Sequence, residues 1–212
     1  MSSFRLPLVL AAAVALAACG DDEDGAARLR VGHFSPDAPA VDVLVNNTQV
    51  LTNVSYTQAS AYLDALAGSA NIQVRATGTT TTVINATVTL EEDTDYTVLA
   101  VNRLAQIEPL VLEDDNTPPA AGQAKVRVVH GAPGAPAVDV YVTTTTADIN
   151  TATPTLTNVP FKGVSSYLPV PAGTYRVRVT PTGTKTVVID VPSFVLTAGQ
   201  IRTVVARDNA GG

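Results

Sequence analysis

Two histidines, His33 and His130, are the residue types in this chain best suited to bind a metal or move a proton, and the chain has no others. Each opens a proline-rich segment that closes on an aspartate. The first runs from His33 through Ser35, Pro36, Asp37 and Pro39 to Asp42, the second from His130 through Pro133, Gly134 and Pro136 to Asp139. An imidazole could serve there as a metal ligand or general base, and Asp42 with Asp37 offers oxygens of the kind calcium takes. One histidine per segment is too few for a transition-metal site unless carboxylates complete it, and the second segment has Gly134 where the first has Asp37. The plainer expectation is that each imidazole bonds the backbone of its own loop, pairing carbonyls that the prolines cannot, and that Asp42 and Asp139 form ion pairs or cap loops. Ser35 beside His33 and Asp37 has the residue types of a triad, but nothing supplies a base oriented by a third group. Gly-x-Ser-x-Gly, His-Glu-x-x-His and a phosphate-cradling glycine loop are all missing. No catalytic residue, metal or cofactor is expected.

The two segments belong to a tandem repeat. Val31–Val45 and Val128–Val142 agree at ten of fifteen positions with an offset of 97. Leu51-Thr52-Asn53-Val54 answers Leu156-Thr157-Asn158-Val159 at an offset of 105, so the second copy holds eight extra residues between Thr143 and Thr155. Within each copy the apolar period is two, as in Arg28-Leu29-Arg30-Val31 and Tyr175-Arg176-Val177-Arg178-Val179, which marks half-buried strands. With 31 Val and 28 Thr, the chain is rich in the β-branched side chains that suit a pleated surface. Turn signals recur at Pro36-Asp37, Asn46-Asn47, Ala67-Gly68 and Thr77-Gly78. The expected fold is all-β: two tandem immunoglobulin-like antiparallel β-sandwiches of about seven strands each. The expected divisions are a signal peptide over 1–18, an acidic tether over 19–25, a first repeat over 26–113, a linker over 114–123 and a second repeat over 124–212.

The opening of each repeat, hydrophobic-x-His-x-x-Pro-x-Ala-Pro-Ala-Val-Asp-Val, resembles the signature of a bacterial envelope family, the domain of unknown function numbered 4397. His33, Ser35, Pro36, Asp37, Pro39 and Asp42 fit it, as do His130, Pro133, Pro136, Asp139 and Tyr141, whereas Ala132 and Gly134 depart from it. The resemblance covers essentially all of the mature chain. It implies a β-sandwich and tandem domains behind a secretion or lipoprotein signal, and it implies no activity.

The first 19 residues carry Arg5, an apolar run over Leu6–Ala18 and the only cysteine, Cys19. Thirteen apolar residues fall well short of the roughly 20 that span a bilayer as a helix. Leu16-Ala17-Ala18-Cys19 resembles the lipobox of bacterial lipoproteins. That likeness implies cleavage between Ala18 and Cys19, with lipid on the Cys19 thiol as the membrane anchor. Gly20 after the cysteine points to the outer membrane, and the acidic run that follows reads either as a surface-export signal or as a solvated spacer.

A net charge of −6 and a pI near 4.7 argue against nucleic acid as a partner. The charge is unevenly split: residues 26–117 hold 4 Arg against 11 acids, and residues 124–212 hold 8 Lys+Arg against 4. Lys125, Arg127, Arg176 and Arg178, all on outward phases, are expected to form one basic sheet face, docked on the first repeat or facing an anionic envelope polymer. Tyr62 and Tyr167, like Tyr56 and Phe161, recur in register and read as packing rather than a sugar platform. Together these features suggest a non-enzymatic, lipid-anchored envelope protein of adhesion or matrix type. The alternative is a periplasmic or surface binding module that takes a small ligand or ion through the Pro-rich loops.

Overall fold

The computed structural model describes residues 25–209. The signal peptide, the lipidation site Cys19 and most of the acidic tether lie outside the described residues. The first repeat forms β1 (Ala26–His33), β2 (Val41–Val45), β3 (Thr48–Val54), β4 (Leu63–Leu66), β5 (Gly68–Ala76), β6 (Thr82–Leu90), β7 (Asp95–Val101) and β8 (Glu108–Asp114), with a single 3-10 turn at Leu104–Gln106. The second forms β9 (Gln123–His130), β10 (Val138–Thr143), β11 (Leu156–Val159), β12 (Leu168–Pro171), β13 (Gly173–Pro181), β14 (Ile189–Leu196) and β15 (Ile201–Ala206). No helix among the described residues is long and apolar enough to cross a membrane.

Each repeat is a sandwich of two sheets. The first pairs β4-β1-β7-β8 against β3-β2-β5-β6, and the second pairs β12-β9-β15 against β11-β10-β13-β14. The period-two pattern explains the layering: Leu29, Val31, Tyr96 and Val98 point inward to meet Val43 and Ile72 of the facing sheet. One departure from the antiparallel expectation occurs in each copy, where β1 pairs β7 and β9 pairs β15 in parallel. After the β5–β6 hairpin the chain crosses from one sheet to the other and returns beside β1 heading the same way, a pairing that no tight hairpin can make.

Asp114 ends β8 and Gln123 begins β9, so the expected linker gives up a residue at each end to strands. The two sandwiches stack back to back. Leu99, Val101 and Leu112 on the outer face of the first repeat share an apolar cluster with Val129, and Phe161 and Val205 of the second repeat pack against it.

The eight-residue insertion lies in the β10–β11 connection. In the first repeat the same connection is a two-residue turn, Asn46-Asn47, with φ of 49° and 64°, as primed hairpin turns require. In the second, the longer loop reaches over the outer face of its sheet. The Ala152 carbonyl accepts a bond of 2.6 Å from Lys185, whose ammonium sits 4.6 Å from the centre of the Tyr141 ring. Tyr141, Arg178 and Thr180 are buried there despite their outward phase.

Candidate functional site

Both histidines are tied into their own loops, and in the same way. His33 Nε2 donates to the Pro39 carbonyl at 2.9 Å, and Nδ1 accepts from the Ser35 N–H at 3.3 Å. His130 repeats this with the Pro136 carbonyl at 3.0 Å and the Ala132 N–H at 3.3 Å. Both rings are buried, and each meets an aromatic edge-on, Tyr56 for His33 and Phe161 for His130. Burial lowers the His33 pKa, outweighing the Pro39 bond, so the neutral ring with both nitrogens engaged is the stable form. Pro36, Pro39, Pro133 and Pro136 shape the loop that each ring braces. Asp37 lies outside that arrangement and accepts from the Leu104 N–H at 2.7 Å. Ser35 Oγ is buried without a hydrogen-bond partner, so it makes no hydrogen bond to the imidazole.

The aspartates also cap backbone. Asp42 accepts from Asn53 N–H at 2.9 Å, Thr77 Oγ1 at 3.0 Å and Gly78 N–H at 3.2 Å. Asp139 accepts from Asn158 N–H at 2.8 Å and Gly183 N–H at 2.9 Å. Each carboxylate thereby joins a left-handed Asn on the neighbouring strand to a left-handed Gly in the next turn. These amide bonds, that from the Asn first, hold both carboxyls below the usual range. Of the two expectations for these residues, loop capping describes the geometry and ion pairing does not. Among the described residues no cluster of three or more His, Cys, Asp or Glu side chains could hold a metal.

The four basic residues expected on one face are split between two sheets. Arg176 pairs with Asp190 at 2.7 Å on β13, and Arg178 is covered on the same strand and bonds Thr143. Lys125 and Arg127 lie on β9 instead, against the first repeat. Lys125 Nζ reaches Asp115 at 2.6 Å, and with Thr117 it brings the Asp115 pKa down to about 2. Arg127 meets Asp114, whose side chain is wholly buried between the repeats. Two matching sets of side chains converge on that carboxylate. From the first repeat come Arg30, Thr97 and Tyr62, with Tyr62 Oη at 2.6 Å; from the second come Arg127 and Tyr167, and Arg127 in turn bonds Thr203. Arg30 stacks on Tyr62 and Arg127 on Tyr167, both at 4.7 Å. The recurring tyrosines thus belong to a buried polar joint. Asp114 itself was not legible as a member, because an acid in a Glu-Asp-Asp run ahead of two prolines reads as solvated linker.

Among the described residues, a cleft of about 700 Å³ opens between the sheets of the second sandwich. Val126, Val140, Val177, Ile189, Phe194 and Val204 are among its walls. That volume is within the range of ligand sites. Val191, on the inward phase of β14 opposite Val177, is 38% exposed at its margin.

A family model described as "Domain of unknown function (DUF4397)" matches residues 27–141 and 142–212, most of the chain. The chain belongs to the DUF4397 family. No curated protein matches it. Among solved structures, a leucine-rich repeat protein from Bacteroides thetaiotaomicron aligns at 15% identity and a TM-score of 0.25 over 88% of this chain. The chain spans only 26% of that protein's length.

The two DUF4397 segments meet inside β10, whereas the structural boundary falls between β8 and β9. The cleft of the second DUF4397 domain was missed in the sequence because its walls look like any sandwich core.

Proposed function

We propose that this chain is a non-enzymatic, lipid-anchored protein of the bacterial envelope, held at the outer membrane through Cys19, and that it acts by interaction, in adhesion or matrix contact. The observation that supports this reading is the apolar cleft of the second repeat, open at a margin where Val191 is 38% exposed, in a molecule whose two sandwiches share an apolar cluster. The reactive side chains support it too: the imidazoles and the motif carboxylates are engaged by their own loops. A second reading, a small ligand taken beside the Pro-rich loop, rests on a pocket of about 230 Å³ lined by His130, Ala132 and Asp208.

Location and recognition are tested separately. Protease applied to intact cells should digest the mature repeats; protection until lysis would confine the protein to the periplasm and remove the adhesion reading. An environment-sensitive apolar dye should bind the folded protein produced without residues 1–18. Binding should weaken when Val191→Glu puts a charge at the cleft margin.

A further inference from the structure

The sheet that carries β10 and β13 has an outer face unlike that of its counterpart in the first repeat. There Gln73 holds the centre of the face, and its amide is fully used. Nε2 donates to Asn47 and Asn71, both at 2.9 Å, and Oε1 accepts from Arg75 at 2.7 Å. The repeat offset of 105 carries Gln73 onto Arg178. A neutral side chain satisfied by its neighbours is thus replaced by a cation under the inserted loop, only 3% exposed.

Arg178 has no counter-charge in that position. Its Nη2 donates to Thr143 Oγ1 at 3.0 Å, and it is in no salt bridge among the described residues. Three acids belong to this face or to the loop over it, and each is engaged elsewhere. Asp190, directly opposite Arg178 on β14, gives both oxygens to Arg176. Asp139 accepts from the Asn158 and Gly183 amides, and Asp148 from Asn150 within the loop. Lys185, over Tyr141, is a second cation in no salt bridge among the described residues.

A buried charge left without a partner is costly. Arg178 Nε and Thr180 Oγ1 are both buried without a hydrogen-bond partner. The two residues are two apart on β13, so they share a face with Cα atoms roughly 7 Å apart. One oxyanion bridges such a gap, with an oxygen for each donor, and guanidinium groups favour carboxylate and phosphate oxygens. We propose that the second repeat binds an oxyanion group, a carboxylate or a phosphate, beneath the inserted β10–β11 loop, with Arg178 and Thr180 as its donors. The site lies on the opposite face of the sheet from the cleft walls Val177 and Val179, so it stands independently of the cleft as a recognition surface. The loop keeps water from the ion pair, which strengthens it.

The test titrates the full chain with sodium phosphate and, separately, sodium acetate, against sodium chloride at equal ionic strength. The NMR signal of the Arg178 Nε–H should shift and saturate with phosphate or acetate and not with chloride, and the thermal midpoint should rise over the same range. Which of the two anions acts distinguishes a phosphate ligand from a carboxylate one. Arg178→Gln installs the residue type of the first repeat and should keep the fold while abolishing the rise. Salts that stabilise by exclusion from the surface act on both chains alike, so the difference between them reports the site. Thr180→Val keeps the side-chain shape and should weaken binding about tenfold. No saturable shift with either anion, or a midpoint rise of equal size in Arg178→Gln, would overturn the proposal.

Discussion

Asp114 is a wholly buried acid to which both repeats donate. Its two oxygens take bonds from Arg30, Thr97, Tyr62, Arg127 and Tyr167, and among the described residues neither guanidinium is in a salt bridge with another carboxylate. Asp114→Ala would strand the buried Arg127 without a counter-charge, a loss of about 3–5 kcal/mol, measurable by chemical denaturation. His33 offers a pH test. Because its folded pKa is lowered, the unfolded chain takes up the proton first, so stability falls as pH drops below the ordinary histidine value of 6.5 and levels off only past the lowered value. By NMR the His33 ring should begin to titrate below 6.5, and the thermal midpoint should decline over the same interval. At this scale the sequence was legible where chemistry is local. A ring preceding its own prolines could only satisfy that loop, whereas the partners of Asp114 lie up to 84 positions away along the chain.

Among the elements, turns and edges separate the copies more than strands do. Gly78 and Gly183 both have φ of +74° with open space around the Cβ position. An alanine at either meets only the left-handed backbone penalty, so Gly78→Ala and Gly183→Ala should each lower stability by about 1 kcal/mol in thermal melts. The inserted β10–β11 loop has a different role. Deleting residues 144–151 should bare Tyr141 and release Lys185 from its ring, with a rise in Tyr141 solvent accessibility by fluorescence quenching. The alternation of Val, Thr and charge made the strands readable one by one. It could not reveal the parallel β1–β7 pair, since period two gives facing but not direction. Nor could it separate the four basic positions, because outward phase on β9 and outward phase on β13 look alike in sequence while belonging to sheets on opposite sides of the core.

For the molecule as a whole, the joint outweighs the tether between its halves. Besides the Asp114 contacts, Lys162 reaches Glu108 at 3.0 Å and Tyr56 Oη donates to the Asp208 carbonyl at 2.5 Å. Cutting the chain within 116–121 at an engineered protease site should leave the halves co-eluting at micromolar concentration in size-exclusion chromatography. The excess of acid in the first repeat and of base in the second was plain in the sequence, and Lys125, Arg127 and Lys162 meet acids of the other part across that joint. The duplicated Arg–Tyr–Thr sets approach one another almost as mirror partners in function, yet the carboxylate between them is single. Two first repeats facing each other would bring two such acids, each with its own Arg30 but without Arg127; two second repeats would bring opposed guanidiniums with no carboxylate between them. The second half therefore takes its counter-charge from the first and none from its own likeness, so the chain closes on itself in one order.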